Sequence, residues 1–291
     1  MTQPTPLAIP ATAHMADADD RGLVFDLTTL IARRKALIGL GLLGLGAGAA
    51  YLALGGGPGQ AEPNLLGTAA DGSTCLKDPA ETAGPFPGDG TNAKAGQTVN
   101  VLTQTGIVRR DIRPSFNGMT PVADGVQLDL TVTLVDVGRA CQPLVGHAVY
   151  LWHCDAGGLY SLYATTDSNY CRGVQITDAK GQVSFTAIFP GCYDGRWPHL
   201  HFEVFASAGA AISGDASLLT SQFALPGDVA QALYAADPRY VASIANLAQL
   251  TLPGDMIFSD NTPEQLAAMT LTMTGDAAAG FTATGTIGIA V

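Results

Sequence analysis

Residues 126–134 read VQLDLTVTL, the clearest secondary-structure pattern in the chain. Every even position in it is apolar, and the odd positions between them are polar. Successive side chains of a β-strand point to opposite faces of a sheet, so this period of two is typical of a strand with one buried face. The stretch therefore predicts a half-buried β-strand.

Similar alternating runs recur along the chain and are separated by turn signals. The turn stretches include DAKG at residues 178–181 and DAAAG at residues 276–280. Many short strands joined by turns predict an all-β fold, a β-sandwich with long loops. The further strands are predicted at residues 147–153, 182–188, 200–205, 270–274 and 281–289.

Two segments depart from the strand pattern. Residues 62 to about 120 are rich in Gly, Pro, Thr and Asp, which predicts an extended N-terminal arm that wraps the sandwich. One short helix is predicted over residues 229–236, where Asp228 can cap its start and Pro238 would end it. The chain has no internal repeat, so residues 62–291 are predicted to form one domain.

The composition fits a folded protein and excludes several classes of function. Of the 291 residues, 47% are hydrophobic and 13% are charged, which argues against a disordered or fibrous protein. The 14 Lys and Arg residues face 25 Asp and Glu residues, for a net charge of -11. A chain this acidic offers no basic face for phosphate groups, so nucleic-acid binding is not expected.

The first 61 residues carry none of this net charge, because four basic residues balance four acidic ones. Arg33, Arg34 and Lys35 precede residues 36–54, an uncharged run rich in Leu, Gly and Ala. This order is typical of an export signal, and the paired arginines favour the twin-arginine type. The run is also just long enough to cross a bilayer, so an uncleaved membrane anchor stays open. We expect an exported protein, periplasmic or extracellular, released or anchored.

The sequence His199-Leu200-His201 lies in one of the predicted strands. The period of two places both imidazoles on one face, while Leu200 points to the other. Two imidazoles in that arrangement can bind one metal ion. Because such pairs also occur by chance, the pair alone is a weak indication of a metal site.

The context of the two histidines is more informative. They end the stretch PGCYDGRWPHLH at residues 190–201, and WHCDAGGLY stands upstream at residues 152–160. In these residues the chain resembles the intradiol ring-cleaving dioxygenases, the family of protocatechuate 3,4-dioxygenase and catechol 1,2-dioxygenase, and most of all its exported single-domain members. The resemblance covers most of residues 75–291 and leaves out the N-terminal segment.

The resemblance implies a mononuclear site with one ferric iron per chain. It also implies an active-site arginine at Arg196, three residues before the first ligand histidine, and a catalytic glutamine at Gln222. The long loops of the sandwich would then form the active site. The four implied ligands are Tyr160, Tyr193, His199 and His201.

The residue types suit that assignment. A phenol has a pKa near ~10, so tyrosine binds as an anion at neutral pH only where a strongly Lewis-acidic cation replaces its proton. Two phenolates and one hydroxide cancel the charge of ferric iron, and neutral imidazoles complete a site that a low-dielectric cleft tolerates. Ferrous oxygenases typically bind iron with two histidines and one carboxylate. The chain does not match that pattern, because the nearby Glu203 lies too close to His199 and His201 in sequence to complete such a site easily.

The implied reaction is cleavage of a small aromatic diol by O2 between the two hydroxylated carbons, giving a cis,cis-muconate-type diacid. The resemblance implies that Tyr193 leaves the metal and accepts a proton, while Tyr160 stays bound. Arg196 would stabilise negative charge on the ring, a role that a fixed guanidinium can supply.

Two alternatives stay open. The chain could be an exported binding protein of the same fold without turnover, which captures a metal, a catechol or a carbohydrate. His199 and His201 alone could instead hold copper or zinc. The sequence identifies neither the ring substituents nor the oligomeric state, and it is compatible with an oligomer.

Five cysteines follow the N-terminal segment. In an oxidising compartment Cys75 could pair with Cys141, and Cys154 could pair with Cys171. Cys192 adjoins one implied ligand, where a thiolate would compete for the metal.

Four further residues near the motifs are expected to have structural functions and not to bind the metal. His147 and His153 have no matching ligand function in the family and are interpreted as structural. Trp152 is expected in the core, and Trp197 is expected to line the cleft.

Overall fold

The computed structural model describes residues 65–291. The predicted export signal or anchor, residues 1–61, lies outside the described residues. No helix within residues 65–291 has the length and apolar character needed to span a membrane.

The described chain is rich in sheet and has few helices. The strands are β1 Leu66–Thr68, β2 Thr74–Leu76, β3 Asp89–Lys94, β4 Gln97–Asn100, β5 Gln127–Asp136, β6 Gln142–Pro143, β7 Ala148–Trp152, β8 Arg172–Ile176, β9 Gln182–Ile188, β10 His199–Phe205, β11 Leu219–Ala224, β12 Thr272–Asp276 and β13 Gly280–Ile289. The α-helices are α1 Ala208–Ser213, α2 Gly227–Ala236, α3 Val241–Leu247 and α4 Pro263–Met269.

Two larger sheets hold most of these strands. One has the order β11-β10-β7-β8, and the other has the order β12-β13-β5-β6 with β9 also paired to β5. Strand β5 contains most of the alternating stretch at residues 126–134, and it pairs in parallel with β13 and antiparallel with β9. Its apolar side chains Leu128, Leu130 and Val132 are almost completely buried, as the period of two predicts.

One core cluster contains side chains from both larger sheets. It includes Leu130 of β5, and it includes Leu200 and Phe202 of β10. The side chains of β10 alternate, so the odd-numbered residues of this strand face the opposite side from Phe202. On that second side His201 is paired with Trp152 of β7 and Gln222 of β11. The register of three strands therefore brings candidate site residues together on one face.

The prediction of a single short helix is wrong, because the described residues contain four α-helices. Helix α2 begins after Pro226, and Asp228 lies in its first turn without capping it by a side-chain bond. Helix α4 begins with a capping box in which Thr262 and Gln265 bond each other's backbone, a signal that the sequence does contain. Helix α1 also has capping signals, because Ser207 accepts from the Ala210 N–H at its start and Gly214 ends it. Helix α3 has no side-chain cap and depends on tertiary packing.

The alternating strands are confirmed within about two residues, but shorter or fully buried ones were missed. Strand β11 reads LTSQFA and is buried at every position, so it shows no alternation. The strands absent from the prediction are β1, β2, β3, β4, β6, β8 and β11.

One disulfide ties the N-terminal part of the described chain to the β5–β6 connection. Cys75 and Cys141 are bonded, as the sequence suggested. The pairing of Cys154 with Cys171 is wrong, because both are buried free thiols, and Cys192 is a third.

Candidate metal centre

Strand β10 fixes two imidazoles side by side. The Nε2 atoms of His199 and His201 lie 3.1 Å apart, and both residues are at most 3% exposed. The parity expected from the sequence is therefore confirmed. The His201 ring also stacks on Trp152, with centroids 4.9 Å apart and planes at 8°. That stacking holds the ring in one orientation and confirms Trp152 as a packing residue.

Two loops bring phenol oxygens to the same point. Tyr160 comes from the β7–β8 loop, and its hydroxyl lies 3.1 Å from His201 Nε2 and 3.4 Å from His199 Nε2. Tyr193 comes from the β9–β10 loop, and its hydroxyl lies 3.1 Å from His199 Nε2 and 3.4 Å from the Tyr160 hydroxyl. The structure thus brings together all four residues that the sequence predicted as ligands.

The hydrogen bonds of His199 select the tautomer that suits a metal ligand. Its Nδ1 lies 2.5 Å from the carbonyl oxygen of Trp197, an acceptor only, so Nδ1 carries the proton. The Nε2 lone pair is then left to face the two phenol oxygens. The backbone of a neighbouring residue thereby orients the imidazole.

Burial keeps these groups neutral when no cation is present. Burial and the neighbouring Tyr193 raise the pKa of Tyr160 well above its ordinary value. Burial and the neighbouring His199 lower the pKa of His201 well below its ordinary value. Neutral imidazole offers a lone pair, but a phenolate here needs a strong cation to replace its proton.

The donor set depends on tyrosine. Within residues 65–291, no group of three or more His, Cys, Asp or Glu side chains is arranged to hold a metal ion. The two imidazoles have the phenol oxygens of Tyr160 and Tyr193 as their neighbours. Hard, anionic oxygen donors of this kind suit a highly charged cation better than a soft one.

A buried arginine supports the Tyr160 loop. Arg172 is fully buried, and its guanidinium donates to the carbonyl oxygens of Ser161 (3.0 Å), Phe86 (2.9 Å) and Pro87 (2.7 Å). Phe86 in turn packs on the Tyr160 ring with centroids 5.0 Å apart. Sequence reasoning did not select Arg172 for any function.

The Tyr193 loop approaches the Tyr160 loop closely. Gly158 has a φ of 84°, and a Cβ there would lie 3.2 Å from the Cβ of Tyr193, so this position favours glycine. The thiol of Cys192 donates to the carbonyl oxygen of Arg196 at 3.4 Å. Burial raises the pKa of Cys192 to about 12, so without a metal ion it is a thiol at neutral pH.

Arg196 lies beside the four donor atoms. Its Nη1 is 3.5 Å from His199 Nε2, its Nη2 donates to Gln222 Oε1 at 2.5 Å, and its Nε donates to Asp255 Oδ2 at 3.0 Å. Gln222 also donates to the Thr82 carbonyl oxygen at 2.9 Å. Arg196 and Gln222, both selected from the sequence, are thus brought to the site.

Asp255 was missed by sequence reasoning. It follows Pro253-Gly254, an ordinary turn signal that points to no function. Burial acts to raise the pKa of Asp255, but the Arg196 charge and the N–H of Trp197 outweigh burial and hold the pKa below its usual range. Asp255 is therefore a buried carboxylate.

The other residues that the sequence singled out do not lie among the four donor atoms. His153 is buried, and its Nδ1 lies 2.7 Å from the carbonyl oxygen of Cys154. His147 is half-buried and its Nδ1 lies 3.3 Å from the carbonyl oxygen of Val145. The Trp197 indole donates to the Leu225 carbonyl oxygen at 2.9 Å.

Several solved structures are similar to this chain. An intradiol ring-cleavage dioxygenase from Tetranychus urticae aligns with a TM-score of 0.51 and 22% identity over 63% of this chain and 87% of its own. The dioxygenase domain of a carbohydrate-binding fusion protein from Streptomyces sp. SirexAA-E aligns with a TM-score of 0.45 and 23% identity over 74% and 99%. Catechol 1,2-dioxygenase from Pseudomonas arvilla C-1 aligns with a TM-score of 0.45 and 19% identity over 92% and 69%.

The sequence itself also matches a family. None of the curated proteins matches it significantly. A family model described as Dioxygenase matches residues 113–274, which is more than half of the chain and includes all four donor residues, Arg196, Gln222 and Asp255. The chain therefore belongs to the dioxygenase family that this model describes, and it shares the fold of an intradiol ring-cleavage dioxygenase.

Proposed function

We propose that the protein is a non-haem ferric dioxygenase that cleaves catechol-type diols with O2 to cis,cis-muconate-type diacids. The observation that carries the proposal is the convergence of two phenol oxygens and two imidazole nitrogens at 3.1–3.4 Å in a member of this family. We assign one Fe(3+) per chain to Tyr160, Tyr193, His199 and His201. When bound, ferric iron supplies the Lewis acidity that favours loss of both diol protons and reaction of the ring with O2.

The two tyrosines have different surroundings, and this supports different functions for them. Tyr160 is 3% exposed and packs against Phe86, so its ring is held in place. Tyr193 is only half-buried, and the exposed Asp194 and the half-buried Gly195 come directly after it. In the proposed reaction Tyr193 moves away as the diol binds and takes one of its protons, while Tyr160 stays.

Arg196 is proposed to stabilise negative charge on the reacting ring. Its guanidinium is 2% exposed and lies beside the donor atoms, where the low dielectric strengthens its interaction with an anion. Gln222 bonds both Arg196 and the Thr82 carbonyl oxygen, so it links the arginine to the N-terminal part of the fold. We infer that Gln222 orients the charged Arg196 guanidinium and does not itself exchange protons.

We also propose that the protein is exported and acts outside the cytoplasm. The disulfide between Cys75 and Cys141 supports this, because such bonds persist in oxidising compartments. The paired arginines and the apolar run within residues 1–61 would direct export. Whether that segment is removed or anchors the protein is tested by the mass of the purified native chain.

The first prediction is a visible colour that depends on Tyr160. Iron-loaded protein should absorb visible light because tyrosinate bound to ferric iron gives a charge-transfer band, and anaerobic catechol should shift that band. Tyr160→Phe should lower the absorbance and shift the band, because only the Tyr193 tyrosinate is then left on the iron. Tyr163→Phe is the matched control, because Tyr163 is also buried and close to Phe86 but is not among the donors.

Three outcomes would contradict the proposal in different ways. Iron-bound but colourless protein would exclude tyrosinate ligands. Colour that shifts with catechol but no oxygen uptake on a panel of catechols would indicate a binding protein without turnover. Stoichiometric copper or zinc with a spectrum unchanged by Tyr193→Phe would indicate a site of two histidines alone.

A further inference from the structure

Both carboxylate oxygens of Asp255 are occupied by N–H donors. Oδ2 accepts from Arg196 Nε at 3.0 Å and from the Trp197 backbone N–H at 2.7 Å. Oδ1 accepts from the backbone N–H groups of Ile257 (2.8 Å) and Phe258 (3.1 Å). Asp255 is fully buried, so four donors hold this carboxylate in one orientation without competition from water.

The first consequence concerns the arginine. A guanidinium is a planar fork, so fixing two of its nitrogens fixes the third. Asp255 binds Nε and Gln222 binds Nη2, and the remaining Nη1 lies 3.5 Å from His199 Nε2. The ring of Phe258, whose backbone Asp255 also holds, lies 6.0 Å from the guanidinium carbon.

The second consequence concerns His199. The same Oδ2 atom accepts from the Trp197 N–H, and the Trp197 carbonyl oxygen accepts from His199 Nδ1. One carboxylate oxygen therefore contacts both the arginine and the residue whose backbone orients a candidate ligand. Because that residue lies between Arg196 and His199 in sequence, a shift of the carboxylate would move both.

We propose that Asp255 is a positioning residue, which holds the Arg196 guanidinium and the Trp197 backbone in the arrangement that the ring-cleavage reaction requires. This rests on the proposed function. The side chain of Asp255 bonds Arg196 and the Trp197 backbone rather than the four donor residues, and it acts through them. In the variant Asp255→Asn, the buried Arg196 guanidinium loses its carboxylate partner. It would then pair with an anionic oxygen in the site instead.

The test is a double-mutant cycle between Asp255→Asn and Arg196→Gln in the iron-loaded protein. Asp255→Asn alone should lower kcat for catechol by about 10- to 100-fold with less than about a threefold change in KM, and should shift the catecholate absorption band. In the Arg196→Gln background the same change should lower kcat by a clearly smaller factor, because only the contribution through Trp197 is left. If the two losses multiply, Asp255 does not act through Arg196 and the proposal is overturned.

The matched control is Asp136→Asn. Asp136 is also a buried aspartate, 1% exposed, with an arginine neighbour and a backbone N–H donor, but it lies at the end of β5 and contacts none of the site residues. Its replacement should leave kcat and the band position unchanged. An equal fall in kcat for both variants would show that any buried aspartate matters, and would overturn a specific function for Asp255.

A measurement on the metal-free protein keeps the proposal testable if Asp255→Asn does not fold. The Arg196 Nε–H should give an arginine side-chain NMR signal that exchanges slowly with solvent, because it is buried and bound to a carboxylate. The signal is assigned by its loss in Arg196→Lys. Fast exchange in the unaltered protein would overturn the proposal. Absence of colour and turnover with a slowly exchanging signal would instead contradict the proposed function alone.

Discussion

At the scale of single residues, Asp78 combines burial with incomplete hydrogen bonding. It is 3% exposed, and its Oδ2 accepts from the Gly288 N–H at 2.6 Å. Its Oδ1 has no hydrogen-bond partner among residues 65–291. Burial raises the pKa of Asp78 to about 7, so the folded protein holds this proton up to neutral pH.

This raised pKa predicts a pH dependence of stability. Below about pH 4 the carboxyl of Asp78 is protonated in both the folded and the unfolded chain, so it makes no difference to the free energy of unfolding. Between about pH 4 and 7 only the unfolded chain releases the proton, so the contribution of Asp78 to the free energy of unfolding, taken as the difference between the unaltered chain and Asp78→Asn, should fall by a few kcal/mol and then level off. Urea unfolding of both chains from pH 4 to 8 measures that difference.

The control for this prediction is the exposed Asp276, whose pKa is lowered by the N–H groups of Ala279 and Ala278. A lowered pKa reverses the sign, so Asp276→Asn should leave the fall between pH 4 and 7 in place. Parallel curves for the unaltered chain and Asp78→Asn would show that Asp78 is not responsible.

At the scale of elements, helices α2 and α3 with the turn between them hold the strand end that leads to Tyr193. Tyr234 and Tyr240 donate to the carbonyl oxygens of Pro190 and Phe189, each at 2.9 Å. Ser243 accepts from the Cys192 N–H, and Asn246 donates to the Cys192 carbonyl oxygen, each at 2.8 Å. The helices thus fix both polar groups of the residue before Tyr193.

Ser243→Ala should therefore destabilise the protein more than the loss of a single hydroxyl group would suggest. It leaves the buried Cys192 N–H without this acceptor, which should lower the free energy of unfolding by about 1–3 kcal/mol. The exposed Ser213 in α1 is the matched control. Ser213→Ala should change the free energy of unfolding by less than about 0.5 kcal/mol. Urea unfolding measures both, and equal effects would mean that α3 does not restrain this loop.

At the scale of the whole molecule, the segment formed by residues 75–86 completes the site from one side. It supplies the Thr82 carbonyl oxygen to Gln222 and the Phe86 ring to Tyr160. The disulfide between Cys75 and Cys141 anchors this segment and closes a chain segment of 66 residues. For a loop of that length the chain-entropy model predicts about 4 kcal/mol of stabilisation.

Reduction of the disulfide should remove that stabilisation. We expect the urea midpoint to fall when reductant is added, and the double variant Cys75→Ser, Cys141→Ser to show the same low midpoint with or without reductant. The buried free thiols Cys154, Cys171 and Cys192 are present in both proteins and serve as an internal control. A midpoint that does not respond to reductant would contradict the anchoring function.

The sequence by itself determined the strands whose side chains alternate and the parity that puts His199 and His201 on one face, because both follow from the geometry of a single strand. The types and spacing of the implied ligands also indicated the family before any contact was known. Only the tertiary structure decided that Cys154 and Cys171 stay unpaired, that α3 forms and that Asp255 contacts Arg196 from 59 residues away. Such contacts join segments distant in sequence, and local periodicity carries no information about them because it reflects only the faces of one element.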